Sequence, residues 1–304
     1  MIVLQKYLDA LNVIVERIGK HMANTECSAL LARAVRNLPK MDESADYELP
    51  VRRLLSLGHE IEVGHGTSAR MAFAAGLVAH LALRLAARLT SMELPDSVLE
   101  QYPRTFERLI RQLNEGDLAS YWSGDECFLK DIRITGGYSV PCGALDVDLY
   151  STISRKSGLK LIFTQRDLHN GWVVVRHGGP TWFRIHLDPR YLEDFNENGW
   201  EGVYRRIADL LLRHPWVKGM VGTTWFFDPK IVEISPRLAY TQTTPLTNGA
   251  FLVRHGPAAL YTKLATATSP TRRALVEEGS YVPTGYSLIW PKVGLLHWAR
   301  CEPR

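Results

Sequence analysis

The residues at 184–188, Arg-Ile-His-Leu-Asp, have a spacing that suits catalysis or metal binding. On an extended strand, side chains two apart face the same side, so His186 and Asp188 share one face and Ile185 and Leu187 take the other. The same pair with a later histidine has the spacing of a two-histidine, one-carboxylate Fe(II) site. In that arrangement His255 or His297 supplies the third ligand, and Arg272 or Arg273 binds an oxo-acid. The plainer account is an imidazole hydrogen-bonded to a nearby carboxylate at a strand end. A second set is Cys142 with His186 or His169 and Asp188, in the order thiol nucleophile, base and orienting acid. After Cys142, however, Leu145, Val147 and Leu149 alternate with Asp146 and Asp148 as on a strand, which favours a buried structural cysteine.

Other polar groupings have simpler explanations. Gly58 to His65 is rich in ligand-type side chains, but its histidines, His59 and His65, lack the His-Glu-x-x-His spacing of zinc proteases. His80, Arg84 and Arg88 follow one another at i, i+4 and read as one face of a helix. Trp182, Phe183, Trp200, Trp225, Phe226 and Phe227 read as core, and their density around His186 also suits a partly apolar pocket. Glu233, Arg237 and Tyr240 lie in a proline-bearing segment that could line it.

The elements that must position these residues fall into two textures. Up to about residue 118 the pattern is helical. An amphipathic opening helix carries Leu4, Leu8, Leu11, Val15 and Ile18, a second spans Cys27–Leu38, and a turn-like break runs from Pro39 to Pro50. A long alanine- and leucine-rich helix then runs from Thr67, with Thr67 or Ser68 as its N-cap, to Thr90. Leu94-Pro95-Asp96-Ser97 caps a further helix that ends at the Asn-Glu-Gly-Asp break at 114–117. From about Tyr121, glycine, aromatic and β-branched residues rise. Strands are expected at Asp131–Thr135, Leu159–Thr164, Trp172–His177, Trp182–Leu187, Val217–Phe227, Phe251–Arg254 and Tyr286–Trp290. His177-Gly178-Gly179-Pro180 reads as a hairpin turn, and helices are expected at Trp200–Arg213 and Thr271–Glu278. Strand, helix, strand from 182 to 227 predicts a sheet with at least one crossover. The expected fold is therefore α+β (mixed α/β), a helical N-terminal bundle (1–118) packed on a mixed β-sheet domain (119–304).

Composition bounds the function. The chain has 304 residues, 46% of them hydrophobic and 22% charged, which is ordinary for a globular protein. A net charge of +4 with scattered Lys and Arg gives a mild pull on anions and argues against a nucleic-acid partner. Four cysteines without a CxxC pair fit a reduced, cytoplasmic setting. The most apolar stretch, Met71 to Leu83, is shorter than the ~20 residues of a bilayer span, so no membrane association is expected.

One segment points to a family. Ala274-Leu275-Val276-Glu277-Glu278-Gly279 and Tyr281, within residues 260–290, resemble the C-terminal part of the GNAT superfamily of acyl-CoA N-acyltransferases. There a short helix carries an x-x-Leu-Tyr-x-x-x-Gly-Phe pattern and a strand follows at once. Val276 stands where that family usually has a tyrosine that often acts as general acid. The family's glycine-rich loop, which opens a helix and holds the CoA pyrophosphate on backbone N–H groups, has no counterpart in the turns at Asn198-Gly199 or Arg254-His255-Gly256. The resemblance implies a small-molecule enzyme that moves an acyl group from acyl-CoA to an amine or amino-acid-like acceptor. His186 or Asp188 is then the candidate base, and Arg237, Arg272 and Arg273 are candidate contacts for phosphate or carboxylate. The alternatives are the Fe(II) oxygenase built on His186, Asp188 and His255, and a non-catalytic binding or regulatory protein.

Overall fold

A computed structural model describes residues 2–22, 25–37, 48–115 and 126–301, and the chain divides into two compact units, Met1–Cys142 and Gly143–Arg304. The fold is α+β, as expected. The expected boundary at 118/119 falls in a stretch outside the described residues, as do most of the break from Pro39 to Pro50 and the end of the Asn-Glu-Gly-Asp segment.

The first unit is helical: α1 (Ile2–His21), α2 (Thr25–Asn37), α3 (Glu48–His65), α4 (Thr67–Arg88), α5 (Asp96–Leu99), α6 (Tyr102–Glu115) and α7 (Glu126–Gly136), followed by the short strand β1 (Ser139–Pro141). α4 is the central helix and packs against α1, α2, α3 and α7. Its length and composition alone would let it cross a membrane, contrary to the short count made from Met71 to Leu83, but Phe73, Leu77, Val78, Leu81 and Leu85 are buried inside the unit. Its small residues permit close approach: a Cβ at Gly76 would lie 2.8 Å from Leu31 Cδ2. The expected cap is absent, because Gly66 precedes the helix and the Thr67 hydroxyl donates to Glu62 Oε1 (3.1 Å). Asp131–Thr135, expected as a strand, lies in α7. There Phe128, Ile132 and Thr135 follow helical spacing toward the interior, and buried Asp131 takes two hydrogen bonds from the Arg108 guanidinium.

The second unit begins with β2 (Leu145–Ile153) and continues through α8 (Arg155–Thr164), α9 (Leu168–His177), β3 (Gly179–Leu187), α10 (Glu197–Arg213) and β4 (Gly219–Thr224). Then come α11 (Ile231–Ile234), α12 (Tyr240–Thr247), β5 (Phe251–Pro257), α13 (Ala259–Thr266), α14 (Pro270–Glu277), β6 (Thr284–Pro291) and α15 (Lys292–Cys301). Its strands lie in the order β2-β3-β4-β6-β5. β3 and β4 are parallel and joined through α10, and the other neighbours are antiparallel, so the crossover read from the sequence is present. α10 buries Trp200, Val203, Tyr204, Ile207, Leu210 and Leu211. The Tyr204 hydroxyl accepts from Trp200 Nε1 (2.6 Å) and donates to the Thr241 carbonyl (2.9 Å), so its burial leaves it satisfied.

The two strands expected at Leu159–Thr164 and Trp172–His177 are the helices α8 and α9, and the turn at 177–180 joins α9 to β3 rather than closing a hairpin of strands. Ser154 and Asp167 cap them, accepting from the backbone N–H groups of Lys156 (3.3 Å) and Asn170 (3.1 Å). The two helices cross in backbone contact. A Cβ at Gly158 would lie 2.7 Å from the Gly171 carbonyl oxygen, and one at Gly171 would lie 2.3 Å from Ile162 Cγ1. Leu161 and Val174 on their inner sides join Ile153, Trp182, Val221, Phe251, Val253 and Ile289 in one buried cluster against the sheet. The run expected as a strand from Val217 to Phe227 is a strand only to Thr224, and Trp225–Phe227 form a 3-10 turn.

Candidate functional site

The parallel strands β3 and β4 part at their carboxyl ends. Their ladder pairs Phe183 with Met220, Arg184 with Val221 and Ile185 with Gly222, and among the described residues no β3–β4 pair follows. Beyond that point β3 is held by β2, with His186 opposite Asp146 and Leu187 opposite Leu145, while β4 is held by β6, with Thr223 opposite Ser287 and Thr224 opposite Tyr286. The result is a wedge between two strand ends, each anchored on its outer side. Gly222 is required at its apex, since a Cβ there would lie 2.6 Å from Ile185 Cγ1. Ligands of open α/β sheets gather at the carboxyl ends of parallel strands, where backbone groups and side chains converge.

His186 stands beside this wedge. Its Nε2 is 2.7 Å from Asp148 Oδ2, and the carboxylate is almost fully buried while a quarter of the imidazole is exposed. The carboxylate partner is therefore Asp148 on the neighbouring strand, not Asp188. Asp188 lies just past β3, fully buried, where its oxygens accept from the Arg190 backbone N–H (3.0 Å) and from Arg190 Nε (2.9 Å) and Nη2 (2.7 Å). The two residues joined by sequence spacing are separated by their partners. A cross-strand pair between residues 38 apart, as His186 and Asp148 are, depends on register, and the only sequence signal was Asp148 on the polar side of an alternating run.

The same sheet face carries a second hydrogen-bonded chain. Thr223 Oγ1 and Ser287 Oγ are 2.6 Å apart, and Ser287 Oγ is 2.7 Å from His255 Nε2. Desolvation and then the nearby cations Lys160 and Arg184 hold His255 below the ordinary histidine range, although its ring edge meets solvent. The lowering favours the neutral imidazole. Arg184 is tied to this face by Nε to Ser151 Oγ (2.7 Å) and Nη2 to the Thr152 carbonyl (2.8 Å). The three iron candidates His186, Asp188 and His255 are thus committed to Asp148, Arg190 and Ser287, and among the described residues no group of three His, Cys, Asp or Glu could hold a metal ion. His297 lies on α15 beside Cys301, Cys142 is fully buried and His169 is exposed on α9.

The arginine candidates divide. Arg272 is buried, donating from Nε to the Ala265 carbonyl (2.6 Å) and from Nη1 to Ser235 Oγ (3.0 Å), with its guanidinium 4.7 Å over the Trp225 ring. Burial, and then the positive charge of Arg237, lowers its pKa, while the Tyr281 phenol opposes that shift. Tyr281 is buried facing Asp228, and burial first and that carboxylate second keep its phenol protonated. Arg237 is exposed and also feels Tyr240, whose pKa burial and then Glu197 of the α10 N-terminus raise. Arg237 therefore lies near buried Arg272. Arg273 is apart from them, donating to the Thr266 carbonyl (3.2 Å) on the exposed side of α14.

These features define an α+β protein with a wedge between parallel strands and an acid-supported histidine beside it. Comparison with known proteins adds little sequence evidence: no protein-family model matches, and no curated protein matches. A solved structure, of an acyltransferase in complex with decanoyl-CoA, is similar over 82% of this chain and 80% of that chain, with 14% sequence identity and a TM-score of 0.44.

Proposed function

We propose that this chain is an acyltransferase that moves an acyl group from a CoA-type thioester to an amine or amino-acid-like acceptor. The observation that carries the reading is the wedge between β3 and β4 with the His186–Asp148 pair at its edge. Unpaired backbone groups at two diverging strand ends suit an extended, amide-bearing donor arm, and an N–H there can polarise the thioester carbonyl. The exposed Arg237 suits the donor's phosphates. With Nε2 bonded to Asp148, Nδ1 of His186 is the nitrogen free to take a proton. In the reaction the acceptor nitrogen bonds to the acyl carbon, the carbon–sulfur bond breaks, the proton on nitrogen passes to His186, and the thiolate leaves. The segment from α14 to β6 adds the GNAT-like order of short helix, left-handed Gly279 and strand.

A thermal-shift series with CoA and acyl-CoA of increasing chain length tests the reading, with the His186→Ala variant alongside. Ligand at a hundred times its Kd stabilises by about 2.7 kcal/mol, a rise of several degrees. Wild type and variant should both respond, and only wild type should turn over an amine acceptor. No shift at saturating acyl-CoA sinks the proposal.

A further inference from the structure

The outer side of the α8–α9 hairpin carries apolar side chains that the described residues leave largely exposed. Leu159 and Phe163 on α8 are 46% and 79% exposed, and Leu168 and Trp172 on α9 are 63% and 64% exposed. Each pair is four residues apart, so each helix turns one row outward while Leu161 and Val174 bury the other. Beside Trp172, a recess of about 430 Å³ is lined by Leu168, His169, Val173, Arg176 and His177.

The charge around this stripe is one-sided. Residues 154–177 hold Arg155, Lys156, Lys160, Arg166 and Arg176 against a single acid, Asp167. Asp167 is spent on capping α9, where its carboxylate accepts from the backbone N–H and side-chain amide of Asn170. Among the described residues Lys156, Lys160, Arg166 and Arg176 make no ion pair. The hairpin alone thus carries a basic excess as large as the net +4 of the whole chain.

We propose that this hairpin lies on an anionic phospholipid surface, inserting Phe163 and Trp172 at headgroup depth while the surrounding Lys and Arg side chains meet lipid phosphates. Exposed aromatic and leucine side chains flanked by cations are what an interfacial helix presents to an anionic bilayer. Large exposed apolar patches rimmed by polar residues mark protein or membrane interaction sites. The segment reads as two strands in the sequence, which placed Phe163 and Trp172 in a sheet and hid the outward stripe. The inference does not depend on the acyl-transfer reading.

Co-sedimentation of the full chain with phosphatidylcholine vesicles, with and without phosphatidylglycerol, tests it. Binding should need phosphatidylglycerol and weaken as salt rises, since exposed charges are screened beyond about 10 Å at 0.1 M. The pair K156E and R176E should lower affinity by about fivefold or more per charge. F163S and W172S, at exposed positions that leave the fold's melting unchanged, should each lower it by about tenfold. Absence of binding to phosphatidylglycerol vesicles at low salt, or binding indifferent to both variant pairs, overturns the proposal. So does equal affinity for soluble polyglutamate, which would make the partner an acidic protein. A concentration-dependent dimer abolished by F163S and W172S would assign the face to a second copy and overturn it as well.

Discussion

Replacing Gly158 with alanine isolates the crossing of α8 and α9. The new Cβ would lie 2.7 Å from the Gly171 carbonyl oxygen, 2.8 Å from the Val175 backbone nitrogen and 2.8 Å from Val175 Cγ2. Two of those three atoms belong to the α9 main chain, so no rotamer change relieves the clash and the helices must separate by several tenths of an ångström. Overpacking of this kind costs about 1–3 kcal/mol. It is opposed by the roughly 1 kcal/mol by which alanine outranks glycine inside a helix. The net expectation is a loss of up to about 2 kcal/mol, or up to roughly 8 °C in the midpoint, in place of the gain expected of an unobstructed helix position. Gly19 in α1 is the internal control: a Cβ there meets nothing within 4 Å, so Gly19→Ala should stabilise by about 0.5–1 kcal/mol. Both variants can be read by circular dichroism on denaturant titration. If Gly158→Ala is stabilised as much as Gly19→Ala, the argument that this hairpin depends on backbone contact is refuted.

Three further outcomes are expected. Asp148→Asn should lower kcat for acyl transfer by about 10²–10⁴-fold with KM for the donor little changed, because the asparagine keeps the shape but not the charge that supports protonated His186; a normal kcat would remove His186–Asp148 from the chemistry. Tyr204→Phe should cost about 1–3 kcal/mol in chemical denaturation, since it strands the buried Trp200 Nε1 and Thr241 carbonyl, and an unchanged midpoint would contradict that pairing. The pKa of His80 is lowered by desolvation, so the unfolded chain takes up a proton there first. Stability from this group is full above the unfolded value near 6.5 and falls as pH drops below it toward the lower folded value; His80→Gln should flatten that slope, and an equally steep slope in the variant would assign the effect elsewhere.

Helices with clear amphipathic or alanine-rich patterns, such as α4 and α10, were legible in the sequence, as were β3, β5 and β6. The failures share one cause. Val173-Val174-Val175 and the alternating Ile132 and Ile134 favour strands by propensity, yet capping by Ser154 and Asp167 and burial at helical spacing prevailed. Those capping residues were visible in the sequence and were the signal to weigh. The site was only half legible. His186 was singled out from its spacing, but its partner and the Thr223–Ser287–His255 chain come from four strands whose register no local pattern specifies.

The gap between β3 and β4 also bears on how forces pass through the second unit. Near the carboxyl ends of those strands the sheet is two half-sheets, β2 with β3 and β4 with β6 and β5, that share no rungs among the described residues. A ligand bonded to both inner edges would act as an interposed strand and close the seam. On the reading above, amide hydrogen exchange should then slow at residues 186–187 and 223–224 together when acyl-CoA is added. The acyl donor would be, for the length of its stay, a structural member of the sheet.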